Sequence, residues 1–321
     1  MTTGSSLKKF KKHFASITSV SFSPDDTVIA SASKDHTIHF WDRDSGNHLK
    51  KPLGHASGVM SATFSPNGAQ IVSASVDCTI KVWDAFTSAY QTRLAQHICA
   101  LYIPSDGAYV ASVLSDHTLQ LWNSFTGILL WTFKGHLGRV NSVHFATNGS
   151  KMASGSADKS IQMWDTITGH CIHILNGHSS SVESVKFTSN SLYIVSGSLD
   201  KTVQICDATT GLHCQTFSGH LDTVHDIDIS TDGNLVASAS GDTTIQIWKI
   251  SNSNKLHTFR RHSRPVLVVA FSPNNAVVAS GSLDQTVQLW DVISGEILSI
   301  LSTCIYEPIY DQIHQIKNMS L

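Results

Sequence analysis

The sequence predicts an all-β chain assembled from seven four-stranded antiparallel units. Three observations carry this prediction. A histidine recurs at near-constant spacing, a serine and an aspartate recur in step with it, and short apolar runs of strand length lie between turn-forming residues. The histidines, usually after glycine, are His13, His55, His97, His136, His178, His220 and His262, at intervals of 42, 42, 39, 42, 42 and 42. The aspartates are Asp35, Asp77, Asp116, Asp158, Asp200, Asp242 and Asp284, at the same intervals. Four residues before each stands a serine: Ser31, Ser73, Ser112, Ser154, Ser196, Ser238 and Ser280. Six residues after each comes a tryptophan, namely Trp41, Trp83, Trp122, Trp164, Trp248 and Trp290, except in the fifth unit, which has Cys206.

The fourth unit shows how each element is read. Arg139 to Phe145 (RVNSVHF) alternates at Val143 and Phe145, but Val140 falls out of that phase, so the first strand is expected to bend near its start. ATNG is a turn, because asparagine and glycine tolerate the backbone angles a turn needs. KMASGS is a strand of small residues, ADKS turns again, IQMW is the third strand, DTITG turns, and CIHIL is the fourth strand. The other units carry SPDD, SPNG, PSDG, TSNS, STDG and SPNN at the first turn. No segment between the first and last units has a helical period. A four-stranded sheet this small cannot cover both of its faces. Stacked radially, seven such sheets can cover one another, which makes the expected architecture a seven-bladed β-propeller.

At this point the chain resembles the WD-repeat (WD40) β-propeller family, over about residues 7–301. The histidine motifs, the S-x-x-x-D spacing and the dipeptides Trp41-Asp42, Trp83-Asp84, Trp164-Asp165 and Trp290-Asp291 carry the resemblance. The resemblance implies a buried network in each blade that runs from tryptophan through serine and histidine to aspartate. Donor and acceptor capacity permits that direction: an indole N–H only donates, a hydroxyl and a neutral imidazole do both, and a carboxylate only accepts. In the fifth blade Cys206 would leave Ser196 without its indole, and the lost aromatic burial would cost about 3 kcal/mol.

The resemblance also implies that partners dock on the narrower face, through the third and fifth residues after each histidine and the residue before each aspartate. Carried onto this sequence, the candidates are Lys34, Met60, Val76, Arg139, Asn141, Glu183, Leu199, His225, Pro265, Leu267 and Leu283. Pro265, Leu267, Leu283, Met60 and Val76 make an apolar arc on blades seven and two, whereas Arg139, Glu183 and His225 make the opposite arc polar. The third unit lacks three residues between His97 and Ser112, so it is expected to lose the loop after His97 and present only Cys99 and Ser115.

Composition narrows the function. With 22 basic and 24 acidic residues, the chain has a net charge of −2, which argues against a nucleic-acid partner. No 18-residue apolar run and no signal-peptide core are found, so neither a membrane span nor secretion is expected. Six scattered cysteines without C-x-x-C spacing indicate neither a disulfide framework nor zinc, and point to a reducing compartment, cytoplasmic or nuclear. Serine, histidine and aspartate in one unit suggest a hydrolase, but the set occurs seven times and no G-x-S-x-G elbow accompanies it. In the run from Gly169 to His173, alternation puts Cys171 on the face opposite to His170, so His170, Cys171 and His173 are not expected to share a metal. The expectation is a non-enzymatic, monomeric scaffold for protein or peptide partners, with no cofactor and no metal. A second reading is a ligand-sensing module, because the 42-residue period also resembles the repeat arrays of fungal NACHT–WD signalling proteins.

The ends complete the reading. Residues 1–301 form the propeller and 302–321 a tail with Ile309, Ile313 and Ile316 at helical spacing. Two segments compete for the outer place in the seventh blade: Leu7 to Phe10 (LKKF) and Ser294 to Leu301 (SGEILSIL). The N-terminal segment is favoured.

Overall fold

The computed structural model describes residues 13–302, apart from 16, 26, 43–44, 46, 51–53, 66–67, 78, 86, 88–89, 96–97, 103–108, 125, 127, 273 and 285. Residues 303–321 of the tail and Leu7 to Phe10 therefore lie outside the described residues.

Seven four-stranded antiparallel sheets follow one another along the chain. The first holds β1 (Ile17–Phe22), β2 (Val28–Ser33), β3 (Ile38–Asp42) and β4 (His48–Lys50); the second holds β5 (Val59–Phe64), β6 (Gln70–Ser75), β7 (Thr79–Asp84) and β8 (Tyr90–Ala95). The third holds β9 (Ile98–Tyr102), β10 (Tyr109–Leu114), β11 (Leu119–Asn123) and β12 (Leu129–Phe133). The fourth holds β13 (Val140–Phe145), β14 (Lys151–Ser156), β15 (Ser160–Asp165) and β16 (Cys171–Asn176). The fifth holds β17 (Val182–Phe187), β18 (Tyr193–Ser198), β19 (Thr202–Asp207) and β20 (His213–Ser218). The sixth holds β21 (Val224–Ile229), β22 (Leu235–Ser240), β23 (Ile245–Lys249) and β24 (Lys255–Phe259). The seventh holds β25 (Val266–Phe271), β26 (Val277–Ser282), β27 (Thr286–Asp291) and β28 (Ile297–Ser302).

The bend expected at Val140 is a β-bulge: the register of β13 on β14 shifts between Val140 and Ser142. The same shift recurs at Ile17/Ser19, Val59/Ser61, Val182/Ser184, Val224/Asp226 and Val266/Val268. A bulge re-aims the side chains that follow it. Here it turns the start of each first strand toward the loops while the rest packs inward.

The first strands of consecutive sheets lie side by side, β1 by β5, β13 by β17, β17 by β21 and β21 by β25, which is the arrangement of a propeller about its axis. The apolar core sits between sheets rather than within them. Phe133 of the third sheet, for example, shares a cluster with Val143, Met152 and Trp164 of the fourth, and Phe217 of the fifth shares one with Val224, Val236 and Trp248 of the sixth. Each blade is thus half of two cores.

The third sheet shows the expected shortening. β9 begins at Ile98, with none of the loop that separates His136 from Val140 in the fourth. Ser115 is exposed; Cys99 lies in β9, and His97 is outside the described residues. In the seventh sheet the place beside β27 is taken by β28, which pairs with it from Thr286↔Ser302 to Trp290↔Ile297; the N-terminal segment favoured for that blade lies outside the described residues. The reason is local. Asp291 Oδ1 accepts the N–H groups of Ile293 and Ser294, and Gly295 N–H donates to the Asp291 carbonyl at 3.0 Å. A hairpin closed by that short turn loses far less chain entropy than a strand recruited from the opposite end of the sequence.

Trp131, on the outer strand of the third blade, packs onto the next blade. Gly169, with φ at +75°, lies so close under the indole that an added Cβ would come within 2.5 Å of Trp131 Cδ2. Only glycine satisfies both the backbone angle and the contact. His173 on Gly211 and His257 on Gly295 repeat this outer latch.

Candidate functional site: blade braces and loop rim

Two regions could carry function: the recurring polar quartets and the loops they hold. Each quartet bridges three places in its blade. Ser154 sits mid-strand in β14, Trp164 near the end of β15 and Asp158 in the turn between them; His136 comes from the segment that enters β13. Indole Nε1 donates to the serine hydroxyl at 2.7–3.0 Å in six blades: Trp41–Ser31, Trp83–Ser73, Trp122–Ser112, Trp164–Ser154, Trp248–Ser238 and Trp290–Ser280. The serine Oγ lies 2.8 Å from histidine Nε2 for His13, His55, His136, His178, His220 and His262. Histidine Nδ1 lies 2.8–3.0 Å from Asp35, Asp77, Asp158, Asp200, Asp242 and Asp284. In the third blade the structure brings Ser112 and Trp122 together, and Asp116 is exposed in its turn, bonded to Thr118.

The aspartate does more than the sequence suggested. Its second oxygen accepts both the N–H and the hydroxyl of the residue two places on, which is Thr37, Thr79, Thr118, Ser160, Thr202, Thr244 or Thr286. Its first oxygen also takes the backbone N–H after the histidine, as Asp158 takes Leu137 at 2.8 Å. Burial alone would raise the Asp158 carboxyl. Hydrogen bonds from Ser160, His136 and Leu137 outweigh that and hold it at about 2. Asp35 is likewise held at about 2, against its burial, by Thr37, the Phe14 N–H and His13. Burial pushes His55, His136, His178 and His262 below the ordinary histidine range, so their imidazoles are neutral and each can donate at Nδ1 while accepting at Nε2.

A second serine, also missed, sits two residues after the first. Ser156 Oγ donates to the Gly138 carbonyl at 2.9 Å and accepts the Asp158 N–H at 3.1 Å. The signal was present as S-x-S-x-D in six units. It was hidden because serine is common in turns for many reasons.

These groups cannot act as a hydrolase. The test case is the fifth blade, where no indole covers Ser196; yet Ser196 is only 1% exposed and His178 only 8%, so no substrate carbonyl reaches them. Cys206 is buried as well, and burial, with a smaller effect of Cys214, pushes its thiol up to about 11, far from a reactive thiolate. Cys171 is exposed at the start of β16, and His173 Nε2 is bonded to the Thr209 carbonyl at 2.9 Å.

Facing the axis lies a cluster that the repeat pattern did not reveal. Ser184 Oγ donates to Asp226 Oδ1 at 2.9 Å, and Lys186 Nζ pairs with Asp228 Oδ1. The remaining oxygens take backbone N–H groups of the seventh blade: Val269 to Asp226 at 3.1 Å and Phe271 to Asp228 at 2.7 Å. On the fourth blade, Ser142 and His144 accept the N–H groups of Val185 and Phe187. Blades diverge too much at the axis to share a sheet ladder, so side chains of one first strand satisfy the backbone of the next. Every carboxylate oxygen in the cluster has a donor, which makes it a brace and not a free acid–base pair.

The rim candidates lie where the two loops of each blade meet. The N–H of the residue before the aspartate donates to the carbonyl of the third residue after the histidine: Val76 to Gly58, Ala157 to Arg139, Leu199 to Ser181, Gly241 to Thr223 and Leu283 to Pro265, at 2.8–2.9 Å. Val76 is 58% and Leu283 42% exposed. Lys34 and Arg139 are exposed, and Asn141, Glu183, Leu199, His225, Pro265 and Leu267 are half-buried. Met60 lies in β5. Asn141 Nδ2 bridges to Ser181 Oγ, the Val182 carbonyl and Glu183 Oε1, and Arg139 Nε donates to Asn141 Oδ1, which ties the polar arc of blades four and five into one network. His225 Nε2 lies 3.2 Å from the hydroxyl of Thr223 in its own blade.

Fold and braces together define a repeat protein of the β-propeller class, whose recurring polar groups hold its loops. Comparison with known proteins gives the family. The model for "WD domain, G-beta repeat" matches residues 4–42, 46–84, 89–123, 127–165, 169–207, 211–249 and 253–291, and the chain belongs to this WD40 family. Each matched repeat after the first straddles two blades: 127–165 begins ahead of β12, the last strand of the third sheet, and ends with β15 of the fourth. Among solved structures, the chain is similar to the computationally designed Ika8 protein, at 30% identity with a TM-score of 0.80, covering 90% of this chain and 87% of that one. No curated protein matches the sequence. The family is typically a protein-interaction scaffold and generally non-enzymatic. Among the described residues, no helix is long and apolar enough to cross a membrane.

Proposed function

We propose that this chain is a closed seven-bladed ring that serves as a non-enzymatic scaffold and binds a peptide or protein partner on its loop rim. The observation that carries the reading is the pairing of two loops in five of the blades by one backbone hydrogen bond, which sets their side chains on one face at a fixed spacing. Val76 and Leu283 expose apolar surface there, on blades two and seven, and supply the anchor. Leu267, half-buried beside Pro265, supports that anchor. The polar arc of Arg139, Asn141, Glu183 and His225, with Lys34 and Leu199, sets the orientation of the partner. The propeller itself is monomeric, acts in the cytoplasm or nucleus, and engages neither nucleic acid nor membrane, in keeping with its net charge of −2.

Affinity capture with mass spectrometry tests this, with the wild type compared to Val76→Asp/Leu283→Asp and to Leu267→Asp. The same partners are expected to be lost from both variants while melting temperature is unchanged. Capture of an identical set by all three proteins removes the rim assignment.

A further inference from the structure

We propose that the first blade holds a site for a divalent transition metal of the zinc type, formed by His13, Asp35 and His39, with His48 fixing the orientation of His39.

The starting observation is a break in the pattern of the third strands. Opposite the brace serine, the sister blades carry Gln120, Gln162, Gln204, Gln246 and Gln288, and the second carries Lys81. In the first blade the partner of Ser31 is His39. In the sixth and seventh blades the glutamine amide reaches the brace histidine: Gln246 Nε2 lies 3.2 Å from His220 Nδ1, and Gln288 Nε2 lies 3.2 Å from His262 Nδ1. The first blade therefore sets an imidazole where the others set an amide, beside the edge of His13 that faces Asp35. The His13 and His39 ring centroids are 4.4 Å apart at 76°. One ligand atom from each of His13, Asp35 and His39 lies within 4.8 Å of the other two.

The surroundings suit an ion. His39 is 3% exposed, and the ring of Trp41 stacks on it at 5.7 Å. His48 Nε2 lies 2.6 Å from His39 Nδ1, so the second imidazole sets the tautomer and tilt of the first, as outer-shell partners of metal ligands do. Two imidazoles and one carboxylate are a donor set that zinc accepts; magnesium and calcium prefer oxygen alone. Bonds of about 2.0–2.1 Å put tetrahedral donors about 3.3 Å apart, which His13 Nδ1 and Asp35 Oδ2, now at 2.8 Å, reach by a small opening.

Binding uses the Nδ1 lone pair of His13, which places the ring proton on Nε2. There the Ser31 hydroxyl oxygen at 2.8 Å and the Ser31 carbonyl at 3.2 Å both accept it. Asp35 stays ionised. The spacing 13, 35, 39 and 48 matches no sequence motif, because the donors come from three segments that only the sheet brings together.

The probe is Zn²⁺ alone, followed by calorimetry on the full chain, with Co²⁺ absorption to report tetrahedral geometry. The key variant is His39→Gln, which installs the residue of five sister blades and is expected to melt with the wild type in chelator. The expected result is one site in the wild type that binds at least about tenfold more weakly, or not at all, in His39→Gln, together with loss of the Co²⁺ signal. His48→Ala keeps all three ligands and is expected to weaken the same site by about tenfold. Zinc binding of equal stoichiometry and affinity in the wild type and His39→Gln, or no binding by the wild type, overturns the proposal.

Discussion

Two neighbouring seams of this molecule are built from the same plan with different residues. Between the fifth and sixth blades, Phe217 lies over Trp248, with ring centroids 5.3 Å apart and 15° from parallel. Between the fourth and fifth, the same two places hold Leu175 and Cys206, both buried at 6% exposure. The polar parts are nevertheless alike: His178 lies 2.8 Å from both Ser196 and Asp200, and His220 lies 2.8 and 2.9 Å from Ser238 and Asp242. The difference teaches that the indole is separable from the rest of the brace. Ser196 loses the indole donor yet keeps its histidine. Histidine and aspartate hold the loops, and tryptophan adds packing between blades with one hydrogen bond at its edge.

The sharpest way to break this comparison is to remove the part the seams share. His178→Ala and His220→Ala should each cost about 4 kcal/mol, through a cavity and a serine and aspartate left short of a partner. Urea denaturation should give equal losses, and a much smaller loss at His178 would show that the fifth blade's brace is already slack. Next in size is Trp248→Cys, which copies the weak seam onto the strong one. It should cost about 3 kcal/mol and leave the rim loops in place; a cost below about 1 kcal/mol would mean that the indole matters little anywhere.

Acid should loosen the braces in two stages. For His55, His136, His178 and His262 the folded pKa lies below the ordinary 6.5, so the unfolded chain takes up protons first as pH falls. Their contribution is complete above 6.5 and is lost as pH drops from there through the folded values. Asp35 and Asp158, held at about 2 against 3.8, add stability that is complete above 3.8 and is lost as pH drops through about 2. Thermal melts from pH 8 to 3 should show decline beginning near 6.5 and steepening below 4; a flat profile across that range contradicts the neutral-histidine braces.

Smaller effects sharpen the contrast. Cys206→Trp combined with Leu175→Phe should rebuild the strong seam and raise stability by about 1 kcal/mol, net of the repacking cost. A lower melting temperature for the double variant would show that the fourth and fifth blades have already closed on the smaller pair. The smallest effect is chemical: native Cys206, buried and pushed up to about 11, should resist alkylation at pH 8 while exposed Cys171 and Cys214 react.

The repeat and its four-strand plan could be read in the residues because each blade repeats one set of local rules: turn residues, alternation and a histidine before every first strand. The bulge at Val140 showed as a phase slip, and the missing loop after His97 as a shortened interval. The hidden features depend on what faces what across blades. Nothing in DIDIS says that Asp226 and Asp228 would take N–H groups from Val269 and Phe271, more than forty residues away. Likewise, Gly169 looks like any turn glycine until Trp131 is laid on it.

Sequence alone determined the number of units, the strands within each, and the polar groups that close their turns, because those follow from spacing and hydrogen-bonding capacity inside one short segment. Tertiary structure alone decided which strand completes the seventh sheet, how an axis of diverging strands satisfies its backbone, and that His39 stands over His13 and Asp35. Those depend on distances between segments far apart in the chain, and such distances exist only once the sheets have packed.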